Sequence, residues 1–141
     1  MTTETTNTPE VKKTAYELAC EKLKREPLTI DAFSVFPEAN RKVMFGQHKK
    51  DTCIEAANLD AEGKPFIPCW TDGSYKYFPW YLRQEDTNRP SGVGFRFCNS
   101  VNDDDGTYLG SRLGYCRTRQ IADEIGRNDE ITEYHNEAMG I

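Results

Sequence analysis

Two runs decide the fold: G-V-G-F-R-F at Gly92–Phe97 and Y-L-G-S-R-L-G-Y-C-R-T at Tyr108–Thr118. In the first, Val93, Phe95 and Phe97 alternate with Gly94, Arg96 and Cys98. In the second, Leu109, Leu113 and Tyr115 alternate with Tyr108, Gly110, Arg112 and Gly114. A period of two predicts half-buried strands, because successive side chains of an extended chain point to opposite faces. Between them N-D-D-D-G at Asn102–Gly106 has the chemistry of a hairpin turn. Upstream, the aromatic stretch Trp70–Tyr81 supplies a first strand, and Glu85–Ser91 a polar loop after it. Pro79 confines that first strand to an edge, since it has no N–H to give a ladder.

Outward from this sheet the pattern turns helical. Thr14 and Glu17 form an S/T-x-x-E capping box, and Ala15, Leu18, Ala19 and Leu23 follow on one face. Pro27 ends that helix. Leu28–Phe36 is a connecting segment with apolar anchors Leu28, Ile30, Phe33, Val35 and Phe36. Pro37 suits the first turn of a second helix, which is expected to run to about Ala61 before Gly63. Gly46 lies inside it and weakens it by about 1 kcal/mol relative to Ala, which leaves open whether the helix is continuous there or kinks or breaks. Thr118 caps a last helix carrying Ile121, Ala122 and Ile125, with Gly126 as an interruption before Ile131, Tyr134 and Ala138. The expected fold is therefore α+β: two N-terminal helices, a three-stranded antiparallel sheet and a C-terminal helix. Residues 1–12 are expected to be a disordered tail and 13–141 a single α+β domain, which suits a 141-residue chain.

The formal charge of −5 argues against a non-specific nucleic-acid binder, which needs a basic excess to displace phosphate counterions. No apolar run approaches the ~20 residues that span a bilayer, and Met1–Glu10 has neither the basic patch nor the apolar core of a signal peptide. Cys20, Cys53, Cys69, Cys98 and Cys116 are odd in number and irregularly spaced, with no C-x-x-C. That pattern excludes a sequence-local zinc ribbon and points to free thiols in a reducing cytoplasm.

The blocks W-T-D-G-S-Y-K-Y-F-P-W-Y (Trp70–Tyr81), G-V-G-F-R-F and Y-L-G-S-R-L-G-Y-C-R-T, in that order and leading into a helix, resemble a family of small uncharacterised proteins of Bacteroides-type phages and prophages. The resemblance covers roughly residues 15–141. The chain departs from the family pattern at Gly114-Tyr115-Cys116-Arg117-Thr118 and in the acidic C-terminal helix with Asp123, Glu124, Asp129 and Glu130. The resemblance implies a mobile-element origin and a host-cell cytoplasm setting. It implies no catalytic residue.

Familiar chemical constellations are absent from the sequence. Setting Gly106 at position 6 of a calcium loop puts Val101 and Arg112 at ligand positions 1 and 12, and both fail. His48 and His135 have no metal-binding partner at helical spacing, and no nucleophile elbow or phosphate loop occurs. No catalytic residue, metal or cofactor is expected. Two features suggest binding. Arg96 and Arg112 share the glycine-rich sheet face if the strands alternate as expected, and guanidinium forks suit phosphate or carboxylate. Tyr75, Tyr77 and Trp80 either stack on flat ligands or fill the core. The expectation is a phage or prophage accessory protein that acts by non-enzymatic binding. Its partner would be a host protein or a phosphate-bearing ligand such as a nucleotide or nucleic acid, with host-defence inhibition as one form of that role. A structural or assembly protein that self-associates is the alternative.

Overall fold

The computed structural model describes residues 12–83, 93–101 and 112–141. Four α-helices dominate these residues: α1 (Ala15–Leu23), α2 (Glu38–Ala57), α3 (Arg119–Arg127) and α4 (Asp129–Ala138). A two-stranded antiparallel ribbon, β1 (Lys76–Arg83) with β2 (Val93–Val101), lies between α2 and α3 in sequence. Short 3-10 turns occupy Ile30–Phe33 and Arg112–Gly114. The fold is mostly helical, and the expected three-stranded α+β sheet is not formed among the described residues. The expected N-terminal tail lies outside the described residues except for Lys12, and the hairpin turn Asn102–Gly106 and the polar loop Glu85–Ser91 lie outside them entirely.

Tyr108–Ser111 of the expected third strand lie outside the described residues, and its described part, from Arg112 on, makes no ladder for a reason visible in β1. Tyr77 and Cys116 make one isolated antiparallel bridge, with Tyr77 N donating to Cys116 O at 3.3 Å and Cys116 N to Tyr77 O at 2.7 Å. The edge of β1 that faces Cys116 therefore carries the main-chain groups of Tyr77 and, two residues on, Pro79. Proline has no N–H, so the ladder cannot extend past that single bridge. Arg112–Gly114, which would continue it, curls into a 3-10 turn instead. The other edge of β1 pairs with β2 from Lys76↔Val101 to Arg83↔Val93, with a register shift between Trp80 and Tyr81. Trp80 faces Phe97 and Tyr81 faces Phe95, which leaves Arg96 as the extra residue of a bulge.

The first helix starts as its capping box dictates: Thr14 Oγ1 accepts from Glu17 N at 3.1 Å and Glu17 Oε1 accepts from Thr14 N at 3.5 Å. Its buried face is rotated from the expected one. Tyr16, Ala19 and Cys20 are inside, with Leu23 packed against them, while Leu18 is 53% exposed. The end is a Schellman motif on a non-glycine residue. Lys24 has φ 59°, its N–H reaches Glu21 O at 3.1 Å, and Arg25 N reaches Cys20 O at 2.9 Å.

The second helix runs unbroken through Gly46, the continuous one of the alternatives the sequence leaves open. Gly46 is where α2 and α4 cross: a Cβ there would stand 2.6 Å from Glu137 Cβ and 2.9 Å from Ala138 N. The helix ends at Ala57 rather than Ala61 because Asn58 is committed elsewhere. Asn58 is buried; its Nδ2 donates to Tyr115 O at 2.8 Å and its Oδ1 accepts from Arg117 N at 2.8 Å. The Arg117 guanidinium also donates to Asn58 O, at 3.2 and 3.0 Å. This clamp ties the end of α2 to the segment before α3. Thr118 caps α3 as expected, accepting from Ile121 N at 3.1 Å. The C-terminal helix divides at Asn128, not at Gly126, because the Asn128 side chain accepts from Ile131 N at 3.0 Å and starts α4 afresh.

The core joins Tyr16 and Cys20 of α1, Cys53 and Ile54 of α2, Cys116 in the segment before α3, Ala122 and Ile125 of α3, and Ile131 and Tyr134 of α4. Small side chains are frequent in it, which lets the helices approach closely. No helix among the described residues is long and apolar enough to cross a membrane.

Candidate functional site

Between α1 and α2 the chain makes a hook, residues 24–37, that folds over the start of α2. Tyr16 holds its near end: the Tyr16 hydroxyl accepts from Leu28 N at 2.9 Å and lies 2.9 Å from His48 Nε2. Burial raises the Tyr16 phenol above its usual range and lowers the His48 imidazole, so both are neutral near pH 7. Aromatic packing holds the middle. The Phe33 ring lies 5.3 Å from Phe45 and 5.8 Å from His48, and Tyr16 meets Phe45 edge-on at 5.9 Å. Arg41 fastens the far end through its guanidinium, which donates to Phe36 O at 3.1 Å and Ser34 O at 3.3 Å.

Phe33 faces inward, but the other apolar anchors of the hook do not. Leu28, Ile30, Val35 and Phe36 are exposed, as is Met44 on the adjoining helix; Val35 reaches 85%. The hook borders an open groove of about 500 Å³ lined by Tyr16, Leu28, Ile30, Phe45, Lys49 and Tyr134. Lys49 closes its floor. Its ammonium is 2.9 Å from Glu137 and lies over the Phe45 and Tyr134 rings at 4.5 and 4.6 Å. The Tyr134 hydroxyl accepts from Tyr16 N and donates to Glu130, both at 3.3 Å, and burial pushes the phenol up to about 12. Glu130 also accepts from Ala15 N. The Tyr134 hydroxyl, Glu130 and Lys49 at the floor thus each have a partner.

Charge around the hook runs against the rest of the chain. Residues 28–50 hold Arg41, Lys42, Lys49 and Lys50 against Asp31 and Glu38, while the whole chain carries −5. A second concavity on the outer side of the hook is lined by Ile30, Asp31, Ser34, Glu38, Arg41 and Lys42.

The residues expected to bind from sequence are not gathered here. Arg112 stands on a 3-10 turn and Arg96 on a bulge, so strand alternation no longer sets them on one face; their side chains lie outside those described. Tyr75 is 55% exposed, whereas Tyr77 is half-buried against the core with the Arg119 guanidinium 5.3 Å from its ring. Trp80 sits beside Phe78 at 6.1 Å, and Phe78 packs edge-on against Tyr115. Strand parity puts Tyr75 and Tyr77 on one face of β1 and Phe78 and Trp80 on the other. The aromatic belt is divided between two surfaces. Comparison with family models, with curated proteins and with solved structures finds no match for the chain.

Among the described residues no group of three or more His, Cys, Asp or Glu side chains is placed to hold a metal ion. Cys20, Cys53 and Cys116 are buried free thiols, and burial pushes Cys53 up to about 12, far from a reactive thiolate. What the arrangement offers is a surface: a rigid apolar hook, a groove beside it, and cations around both.

Proposed function

We propose that this chain is an accessory protein that acts by non-enzymatic binding, and that its hook takes an acidic amphipathic helix of a host-cell protein. One observation carries the reading: Leu28 and Ile30 of the hook stand exposed in the lining of a 500 Å³ groove, and Val35 and Phe36 further along the hook and Met44 on α2 are exposed as well. An isolated exposed leucine means little, but a contiguous apolar patch marks an interaction surface. A helix laid in such a groove presents anchors at i, i+3 and i+4. Arg41 and Lys42, which line the second concavity that shares Ile30 with the groove, favour carboxylates on the partner's other face and disfavour basic segments. The host-cell setting rests on the resemblance of the Trp70–Tyr81, Gly92–Phe97 and Tyr108–Thr118 blocks to phage and prophage proteins.

The test is a titration of a fluorescent synthetic helix with leucine on one face and glutamate on the other. Saturable binding is expected, weakened roughly tenfold or more by Val35→Asp or Ile30→Asp, the loss of a well-placed apolar anchor. Both side chains are exposed, so the variants should keep the helical circular dichroism of the parent. Absence of saturable binding, or affinity unchanged in both variants, overturns the reading. So does preferential binding to anionic lipid vesicles, or to single-stranded oligonucleotides, over the acidic helix.

A further inference from the structure

Lys50, His135 and Tyr81 come together from α2, α4 and β1, outside the groove. Lys50 Nζ is 2.9 Å from His135 Nδ1 and 5.1 Å from the centre of the Tyr81 ring. The Tyr81 and His135 rings stack in near-parallel planes, 15° apart with centres at 4.0 Å. Lysines at such depth usually have a carboxylate beside them. Lys50 makes no ion pair with any described carboxylate. The titratable groups that face it are Asp51 on its own helix, Cys116, His135 and Tyr81, and the Asp51 carboxylate is held by Gln47 Nε2 at 2.8 Å. The side chain is half-buried, not sealed.

We propose that Lys50 is a covalent capture site, whose amine takes a small aldehyde or 2-oxo acid as an imine while His135 positions it. The free amine's nitrogen lone pair attacks the carbonyl carbon and forms the C–N bond. The carbonyl oxygen becomes a hydroxyl, and the nitrogen gives up one proton to water. The carbinolamine then loses that oxygen as water and leaves a C=N bond, so amine and carbonyl compound give imine and water. His135 Nδ1 accepts one N–H of the amine, which turns the lone pair away from the imidazole. Stacking on Tyr81 fixes the ring that does this. Electrostatics agree with the geometry: burial lowers the Lys50 ammonium to about 8, and burial followed by the Lys50 charge lowers His135 to about 3. Near neutral pH the imidazole is uncharged, with Nδ1 an acceptor in the tautomer that carries its proton on Nε2, and a share of Lys50 is free amine.

The proposal does not rest on the docking surface. Its test treats the full-length protein with glyoxylate and cyanoborohydride, which traps an imine as a carboxymethyl-lysine read by peptide mass spectrometry. At pH 8 an ordinary lysine is about 0.3% free amine and a lysine titrating near 8 about half, so labelling of Lys50 should exceed that of exposed Lys22 and Lys64 by at least roughly tenfold. The rate at Lys50 should level off just above pH 8. His135→Leu should move that inflection, while His135→Asn, which keeps an acceptor, should retain it. Labelling of Lys50 no faster than Lys22 and Lys64, or a rate still rising above pH 10, overturns the proposal.

Discussion

Gly46→Ala is the substitution that sets a local rule against a tertiary one. By helix propensity alone, alanine inside α2 should stabilise the protein by about 1 kcal/mol. The crossing with α4 reverses that sign. The new Cβ would lie 2.6 Å from Glu137 Cβ, 2.9 Å from Ala138 N and 3.0 Å from Tyr134 O, and ordinary contacts begin well beyond these distances. Two of the three atoms are main-chain atoms of α4, so no side-chain rotation relieves the clash; the helices must part. Parting them strains the Lys49–Glu137 ion pair at 2.9 Å and loosens Tyr134, whose hydroxyl and ring tie α4 to α1 and to Lys49. Overpacking of this kind costs about 2–4 kcal/mol before the propensity gain and about 1–3 kcal/mol after it. For a chain of this length that is a fall in Tm of roughly 3–10 °C. Urea unfolding followed by far-UV circular dichroism measures it. A variant as stable as the parent, or more so, would show that α2 and α4 are farther apart than described and refute the close crossing.

Three further outcomes are expected. Asn58→Ala should cost about 2–4 kcal/mol, because it leaves the buried Tyr115 carbonyl and the Arg117 N–H without the amide that serves both; equilibrium unfolding reads it. Lys24→Gly should raise stability by about 0.5–1 kcal/mol, since only the Schellman turn requires φ 59° there and glycine adopts it without strain; a loss of stability in the same assay would contradict it. Acid should destabilise the protein well above the carboxylate range. His135 is lowered from 6.5 to about 3 in the folded chain, so its contribution is complete above pH 6.5 and is lost as pH falls toward 3. One proton gives a slope of about 1.4 kcal/mol per pH unit, reduced here because the ring is partly exposed. Between pH 6.5 and 5 the loss should be about 1–2 kcal/mol, and His135→Asn should flatten it to the smaller slope left by His48, which burial also lowers.

The elements legible in the sequence were those whose determinants are local. Thr14 with Glu17, and Thr118, mark helix starts because a cap acts over three residues, and the structure has those caps. Gly46 is ambiguous for the same reason: locally a glycine only weakens a helix, and its use as a contact point depends on residues about 90 positions away. Asn58 reads as a continuing helix until the partners 57 and 59 residues on are known. The third strand shows the opposite fault. Its alternation was plausible in isolation, but the proline that bars pairing sits on the neighbouring strand, and Pro79 had been read only as a limit on its own strand. Arg96 and Arg112 were set on one face by that alternation, so the bulge and the 3-10 turn undo the argument that joined them.

The hook was half legible. Leu28, Ile30, Phe33, Val35 and Phe36 stood out as apolar anchors, yet sequence gave no means of telling an anchor that points in from one that points out. Tyr16 and Arg41 decide that by fixing both ends of the segment, and with the ends fixed only Phe33 can reach the aromatic cluster. The remaining apolar side chains stay outside despite a free-energy cost of about 1.5–3 kcal/mol for each large one left uncovered. Phe36 still stacks on Phe33 at 6.4 Å, whereas Val35 is 85% exposed. Exposed apolar side chains on a segment fastened at both ends by Tyr16 and Arg41 are what support the proposed docking role.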